Sequence, residues 1–300
     1  MNFTFHQLRI FLEVKAQKNI TKAAQVMYMS QPALSIQLKK FQSQFSLPLV
    51  EYAGKKLQIT EFGEEIAIVA KKVLKEANQL NYKSKAYEGL LTGSLKISSA
   101  STGKYVLPYF LADFVAEYPG IDLQLDVSNK TIVMENLINN EIDFALVSVV
   151  PETLAVEEEP LVQNSLFFVS STMKIDKIKP LIYREPGSAT RQAMVNYFKD
   201  NSTRKSIQLT SNEAVKQAVI AGLGYSILPL IGIKNEILNN ELHIVKRKKL
   251  PIHTQWRLIW LSKKEMSPIA KAYLQFVREQ KARIIQDHFS WYTDFVGNTL

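Results

Sequence analysis

Three short stretches of this 300-residue chain combine residue types that could do chemistry. Residues 98–104, SSASTGK, crowd hydroxyls between a strand-like run and a helical one. Residues 184–191, REPGSATR, place Gly187, Ser188 and Thr190 at a helix start, with Arg184 and Arg191 alongside. First-turn amides without acceptors, joined by arginine, make an anion site. Capping by Ser188 with solvated arginines is the plainer alternative. Residues 30–41, SQPALSIQLKKF, set Ile36 among Ser35, Lys39 and Lys40, an oily side chain inside a ring of cations.

Catalytic sets are not legible. The chain has no cysteine, so disulfides, thiolate metal sites and cysteine nucleophiles are excluded. His6, His243, His253 and His288 show no metal spacing and no readable Ser or Asp partner. The acidic run at 157–159 reads as a solvated turn. Neither hydroxyl loop is a Walker motif, and GLGYS at 222–226 is not a dinucleotide fingerprint. The expectation is a binding protein, not an enzyme, that needs no cofactor or metal.

The elements that must hold Ile36 come first in the chain. Phe5, Leu8, Phe11 and Leu12 recur at helical spacing and predict a helix over 4–16. Thr21 is expected to cap a second helix, with Ala23 and Ala24 just inside it. Ser30 caps a third, where Pro32 is tolerated in the first turn. Two short helices across a tight turn, behind a leading helix, make a helix-turn-helix. On the third helix Leu34, Leu38 and Phe41 share one face, and Pro32, Ile36, Lys39 and Lys40 the other. In a DNA major groove Ile36 could touch a thymine methyl, Gln31 a base edge, and Ser35, Lys39 and Lys40 the phosphates. Contact with another protein segment is the alternative for Ile36. LVEY and KLQIT then flank a turn and read as a wing, with Lys55 and Lys56 at its tip. Residues 1–92 carry 13 Lys+Arg against 7 Asp+Glu, two-thirds of the net +9, which suits a phosphate backbone.

From Thr60 onward Ile66, Val73, Leu80 and Tyr87 fall seven apart. They predict a helix of about seven turns with one apolar seam, which needs a partner. A second copy would pair two DNA-reading heads; packing on the chain's own second domain is the alternative. After Gly93, strands alternate with helices, so parallel sheets in two α/β lobes are expected, with a ligand cleft between them. No apolar run is long enough to span a membrane. The N-terminus reads as an amphipathic helix rather than a leader, so the cytoplasm is expected.

The stretch FLEVKAQKNITKAAQVMYMSQPALSIQLKKFQSQFSLPLVEYAGKKLQITEFG, within residues 5–63, resembles the winged helix-turn-helix of LysR-type transcriptional regulators. It departs from the family pattern at Tyr52, where an arginine is usual, at Phe41-Gln42, and at Ile36, which replaces an exposed arginine. STGKYVLPYFLADFVAEYPGIDLQL, NNEIDFALVS and SNEAVKQAVIAGLGYSILP resemble the family's effector domain. STGKY and REPGSATR are most similar to regulators of carbon-fixation operons, whose effectors are phosphorylated metabolites. The resemblance implies an α/β chain in three parts. These are a winged helix-turn-helix over 1–60, a linker helix over 61–91 that pairs dimers, and a two-lobed, periplasmic-binding-protein-like effector domain over 92–300. Lobe I would take about 92–162 and 267–300, and lobe II about 163–266. Thr21, Gln31, Pro32, Ser35, Ile36, Lys39, Lys40, Tyr52, Lys55 and Lys56 would face DNA. Ser101, Thr102, Asn129, Thr131, Ser188, Thr190 and Arg191 would line the effector pocket, and Ile66, Val73, Leu80 and Tyr87 the dimer seam. Double-stranded DNA, a small anionic metabolite and further copies of the chain, as dimer or tetramer, are the implied partners, with RNA polymerase a further candidate. A solute-binding protein with an N-terminal module that does not bind DNA is the competing reading.

Overall fold

Capping residues set the first helices. In the computed structural model, Thr4 opens α1 (Phe5–Gln17) with a reciprocal box: its side chain accepts from the Gln7 amide and the Gln7 side chain accepts from Thr4 N. Asn19, not Thr21, caps α2 (Ile20–Val26), its Oδ1 accepting from Lys22 N at 2.9 Å. The carboxamide two residues earlier takes the capping position, and Thr21 is left exposed in the first turn. Ser30 caps α3 (Gln31–Gln42) as expected, with a proline in its first turn. The structure describes residues 2–53, 56–87, 91–151, 154–199 and 205–299.

The chain divides into two units, Met1–Gly89 and Leu90–Leu300. The core of the first is built on Leu8, Ile10, Phe11, Val14, Leu34, Leu38 and Phe41. Burying each such side chain contributes about 1.5–3 kcal/mol. The hairpin of β1 (Val50–Ala53) and β2 (Lys56–Ile59) is antiparallel. It is fastened to α3 by Gln42, whose Oε1 accepts from Leu49 N and Val50 N. Helix α4 (Glu61–Tyr87) begins against this core. A Cβ on Gly63 would stand 2.1 Å from the Leu49 carbonyl oxygen, so only glycine lets α4 approach so closely.

Ile66 and Val73 also pack on this core, beside the buried Ala67 and Ala70. The expected dimer seam is therefore partly consumed within its own chain at its first two positions. Leu80, by contrast, is 71 % exposed. The side chain of Tyr87 lies outside the described residues.

The second unit runs β3 (Gly93–Ala100), a 3-10 turn at Ser101–Tyr105, α5 (Leu107–Glu117), β4 (Ile121–Ser128), α6 (Lys130–Ile138), β5 (Phe144–Val147) and β6 (Val156–Ser170). It continues through β7 (Leu181–Arg184), α7 (Ala189–Phe198), β8 (Ser206–Leu209), α8 (Asn212–Ile220), β9 (Ser226–Pro229), α9 (Lys234–Leu238), β10 (His243–Ile244), β11 (Ile252–Leu261) and α10 (Pro268–Thr299). The seven-stranded sheet is mixed, not parallel as expected, and β7 with β8 forms a separate pair. Strands β3–β4, β3–β5 and β7–β8 are parallel, but β6 and β11 pair antiparallel with each other and with their neighbours. These two long strands pass from one lobe to the other, β11 pairing with β5 at one end and β6 with β9 at the other.

Residues 157–159, expected as a solvated turn, lie in β6. Glu159 is 8 % exposed and accepts from Arg278 Nε at 3.0 Å and from Lys281, both on α10. A buried carboxylate persists when paired in this way. The closing helix runs on through the aromatic tail, burying Phe289 and Tyr292. The Tyr292 hydroxyl accepts from Ser165 N on the crossing strand.

Candidate functional site

The exterior of the first unit gathers most of the predicted DNA-facing side chains. The apolar stripe of α3 turns Leu34, Leu38 and Phe41 inward, which forces Ile36 out at 55 % exposure beside the exposed Lys39 and Lys40. Gln31 Nε2 donates to Ser35 Oγ at 3.0 Å, so these two polar groups are held together one turn apart. Thr21, Gln31, Tyr52 and Lys56 line one cleft between the starts of α2 and α3 and the wing. Pro32 is exposed in the first turn of α3. Lys55 lies outside the described residues.

The second unit has a narrow cleft between its lobes. Its floor is Asn164, Leu166, Thr254 and Trp256 from the crossing strands. One wall is Ser101, Thr102, Lys130 and Ser148, and the other is Ser188, Thr190 and Asn212. Four of these, Ser101, Thr102, Ser188 and Thr190, come from the two hydroxyl loops. Gly103 lets the 3-10 turn lie close to β3, since a Cβ there would stand 2.1 Å from Ser99 Oγ. Gly187, at φ +86, brings the second loop against Thr131, whose Oγ1 would stand 2.5 Å from an added Cβ. Thr131 and Arg191 line a wider outer groove that shares Lys130 and Ser188 with the cleft.

Two expected liganding residues are occupied elsewhere. Asn129 caps α6, its Oδ1 accepting from Ile132 N. The Arg191 guanidinium donates to the Arg184 carbonyl oxygen at 2.6 Å and to Gln208 at 3.0 Å, bracing β7 against β8. Ser188 does cap α7, so the plainer reading of that residue holds as well. Arg184 is no surface arginine. It is 3 % exposed, pairs with Glu185 and donates from Nη2 to Ser101 Oγ.

The cleft holds polar atoms in need of a partner. Asn164 Oδ1, Asn212 Oδ1 and Trp256 Nε1 are buried without a hydrogen bond among the described residues, as is Nη1 of the neighbouring Arg184. Leaving such atoms unmet costs about 1–3 kcal/mol each. Lys130, at the start of α6, adds an ammonium whose pKa burial pushes below the usual lysine range. Sequence reasoning missed Lys130, Asn164, Asn212 and Trp256. Lys130, the residue before Thr131, and Asn212 each open a helix directly after a strand and so carried a local signal, whereas Asn164 and Trp256 in the crossing strands did not.

Comparisons with known proteins agree with this architecture. Residues 5–64 match the model for the bacterial regulatory helix-turn-helix protein, lysR family, and residues 88–282 match that for the LysR substrate binding domain. The transcriptional activator CmpR of Synechocystis is 32 % identical over 92 % of this chain and 95 % of its own. The RuBisCO operon transcriptional regulator of Allochromatium vinosum is 32 % identical over 95 % and 98 %. The regulatory domain of Synechocystis CcmR, solved in complex with 2-PG, is 30 % identical over 63 % of this chain and 98 % of its own, with a TM-score of 0.56. A DNA-reading head, a two-lobed ligand cleft and these matches lead to one conclusion: the chain belongs to the lysR family of DNA-binding transcriptional regulators and resembles its regulators of carbon-fixation operons.

Proposed function

We propose that α3 enters the major groove with Ile36 against base methyls and Lys39 and Lys40 on phosphates. In the same reading, a small anionic metabolite bound between the lobes switches the regulator. The observation that carries the ligand assignment is the convergence of Lys130 with the unmet Asn164, Asn212 and Trp256 atoms inside the cleft. A phosphate or carboxylate would accept from Lys130 and Trp256, and a protonated phosphate oxygen or a bridging water would donate to the asparagine oxygens. The complex of the CcmR regulatory domain with 2-PG supports the class. Two copies would pair through the exposed end of α4 around Leu80 and assemble further as tetramers. RNA polymerase would be the downstream partner and the cytoplasm the compartment. Binding, with no chemical turnover and no cofactor, is the whole activity. Among the described residues no helix is long and apolar enough to cross a membrane.

Calorimetric titration of the full chain with 2-phosphoglycolate tests the cleft. Lys130→Met is expected to weaken binding roughly ten- to a hundredfold, the effect of losing one charge-assisted hydrogen bond, and to leave operator affinity unchanged. An anion favours the protonated amine. Affinity should therefore fall as pH rises through the depressed Lys130 pKa, and that dependence should vanish in the variant. Equal affinity in both proteins would move the anion elsewhere. Metabolite binding without any operator binding would favour the solute-binding alternative.

A further inference from the structure

The charge of the second unit is segregated. Residues 163–266 hold 17 Lys+Arg against 7 Asp+Glu, whereas 92–162 with 267–300 hold 7 against 14. One lobe is thus +10 and the other −7, a contrast hidden in a modest total. The cationic excess is sharpest in the turn between β10 and β11, where Lys246, Arg247, Lys248 and Lys249 follow one another and all are exposed. Lys199, at the end of α7, is exposed at the same corner, where the Tyr197 hydroxyl donates to the Lys248 carbonyl oxygen.

This turn is not a loose solvated loop. The Arg247 guanidinium lies 5.2 Å from the centre of the Phe168 ring. Leu250 N donates to the Arg247 carbonyl oxygen at 3.1 Å, and Lys249 takes a left-handed conformation at φ +65. Val245 and Leu250 anchor both ends in the core around Leu166, Phe168 and Tyr225. Among the described residues none of Lys199, Lys246, Lys248 and Lys249 has an ion-pair partner. Four like charges held together in one geometry repel each other, and a polyanion would relieve that repulsion. Lysine is depleted from protein–protein interfaces, whereas lysine and arginine neutralise nucleic-acid phosphates with release of counterions.

We propose that the Lys246–Lys249 turn, with Lys199, is a second DNA-contacting surface, one that grips the phosphate backbone of flanking duplex without reading sequence. The proposal rests on the DNA-binding reading of α3. Once the head is seated, a tethered cationic patch meets nearby duplex at high effective concentration.

The test uses the full chain, a minimal operator duplex and the same operator with long flanks, titrated over a range of KCl. Lys246→Gln/Lys248→Gln retains Arg247 on Phe168 and so keeps the turn folded, which an unchanged melting temperature checks. On the flanked duplex the variant should bind about tenfold more weakly at low salt. Its slope of log affinity against log salt should be shallower by about 0.9 for each phosphate that is no longer neutralised. On the minimal duplex the two proteins should match. Lys246→Arg/Lys248→Arg should behave as the parent on both. Parental slope and affinity in the glutamine variant on the flanked duplex overturn the proposal, including the case in which the patch serves an acidic protein. Lys39→Ala separates the two readings, since it should weaken binding on both duplexes. If the parent protein binds neither duplex, both readings fall.

Discussion

Ile36 and Lys39 sit one turn of α3 apart, and their chemistry separates two kinds of DNA contact. A lysine on phosphate adds affinity on any sequence, whereas an aliphatic side chain against a thymine methyl adds it only where that base stands. Lys39→Ala should weaken specific and random duplexes alike and reduce the salt slope by about 1. Ile36→Arg should exchange a methyl preference for a guanine preference at a single step, a shift of about 1–3 kcal/mol. Binding arrays over all single-base variants of the operator measure both. Identical profiles for the two substitutions would end this division of roles. Residues of this kind were legible because helical periodicity alone decides which side of α3 each one takes. The floor of the ligand cleft was not. Asn164 and Trp256 lie in strands separated by about ninety positions, and nothing local to either shows that Asn164 Nδ2 donates to Thr254 beside an indole. Ser101 and Ser188 were readable because a hydroxyl between a strand and a helix start already has its geometry implied.

Among the elements, α10 depends on charges that lie more than a hundred residues away. Burial works to raise the Glu159 carboxyl. The hydrogen bonds and charges of Lys281 and Arg278 outweigh it and hold the group below the usual carboxylate range. A depressed folded pKa contributes stability that is fully present above the unfolded value of about 4.3 and is lost as pH falls through the folded one. Melting curves of the parent and Glu159→Gln should therefore differ most at neutral pH and converge as pH drops below about 4. The gap should be about 1–2 kcal/mol, small for a buried carboxylate because Arg278 and Lys281 remain partly in water. A constant gap down to strongly acid pH would remove the ion cluster as its cause. The same carboxylate shows where element prediction went astray. Three consecutive acids suggest solvent unless two cations arrive from a distant helix. The alternation of strands and helices after Gly93 was legible, but the antiparallel sense of β6 and β11 was not. Alternating strands and helices imply crossovers, and these two strands change lobe instead of crossing over.

For the whole molecule, one pair of strands and one helix tie the two lobes together. The crossing strands β6 and β11 form the cleft floor, and α10 reaches their crossing point through Tyr292 and Ser165. The recognised substrate-binding domain ends at residue 282, yet Phe289 and Tyr292 beyond it are among the most deeply enclosed side chains of the unit. Anyone preparing this regulator for crystals or screening should leave the last turns of the chain in place. Clipping it at the recognised boundary would leave the amide of Ser165 unmet and open a hole where two rings had been, and the truncated protein should come out of expression aggregated or half-melted before any metabolite is added.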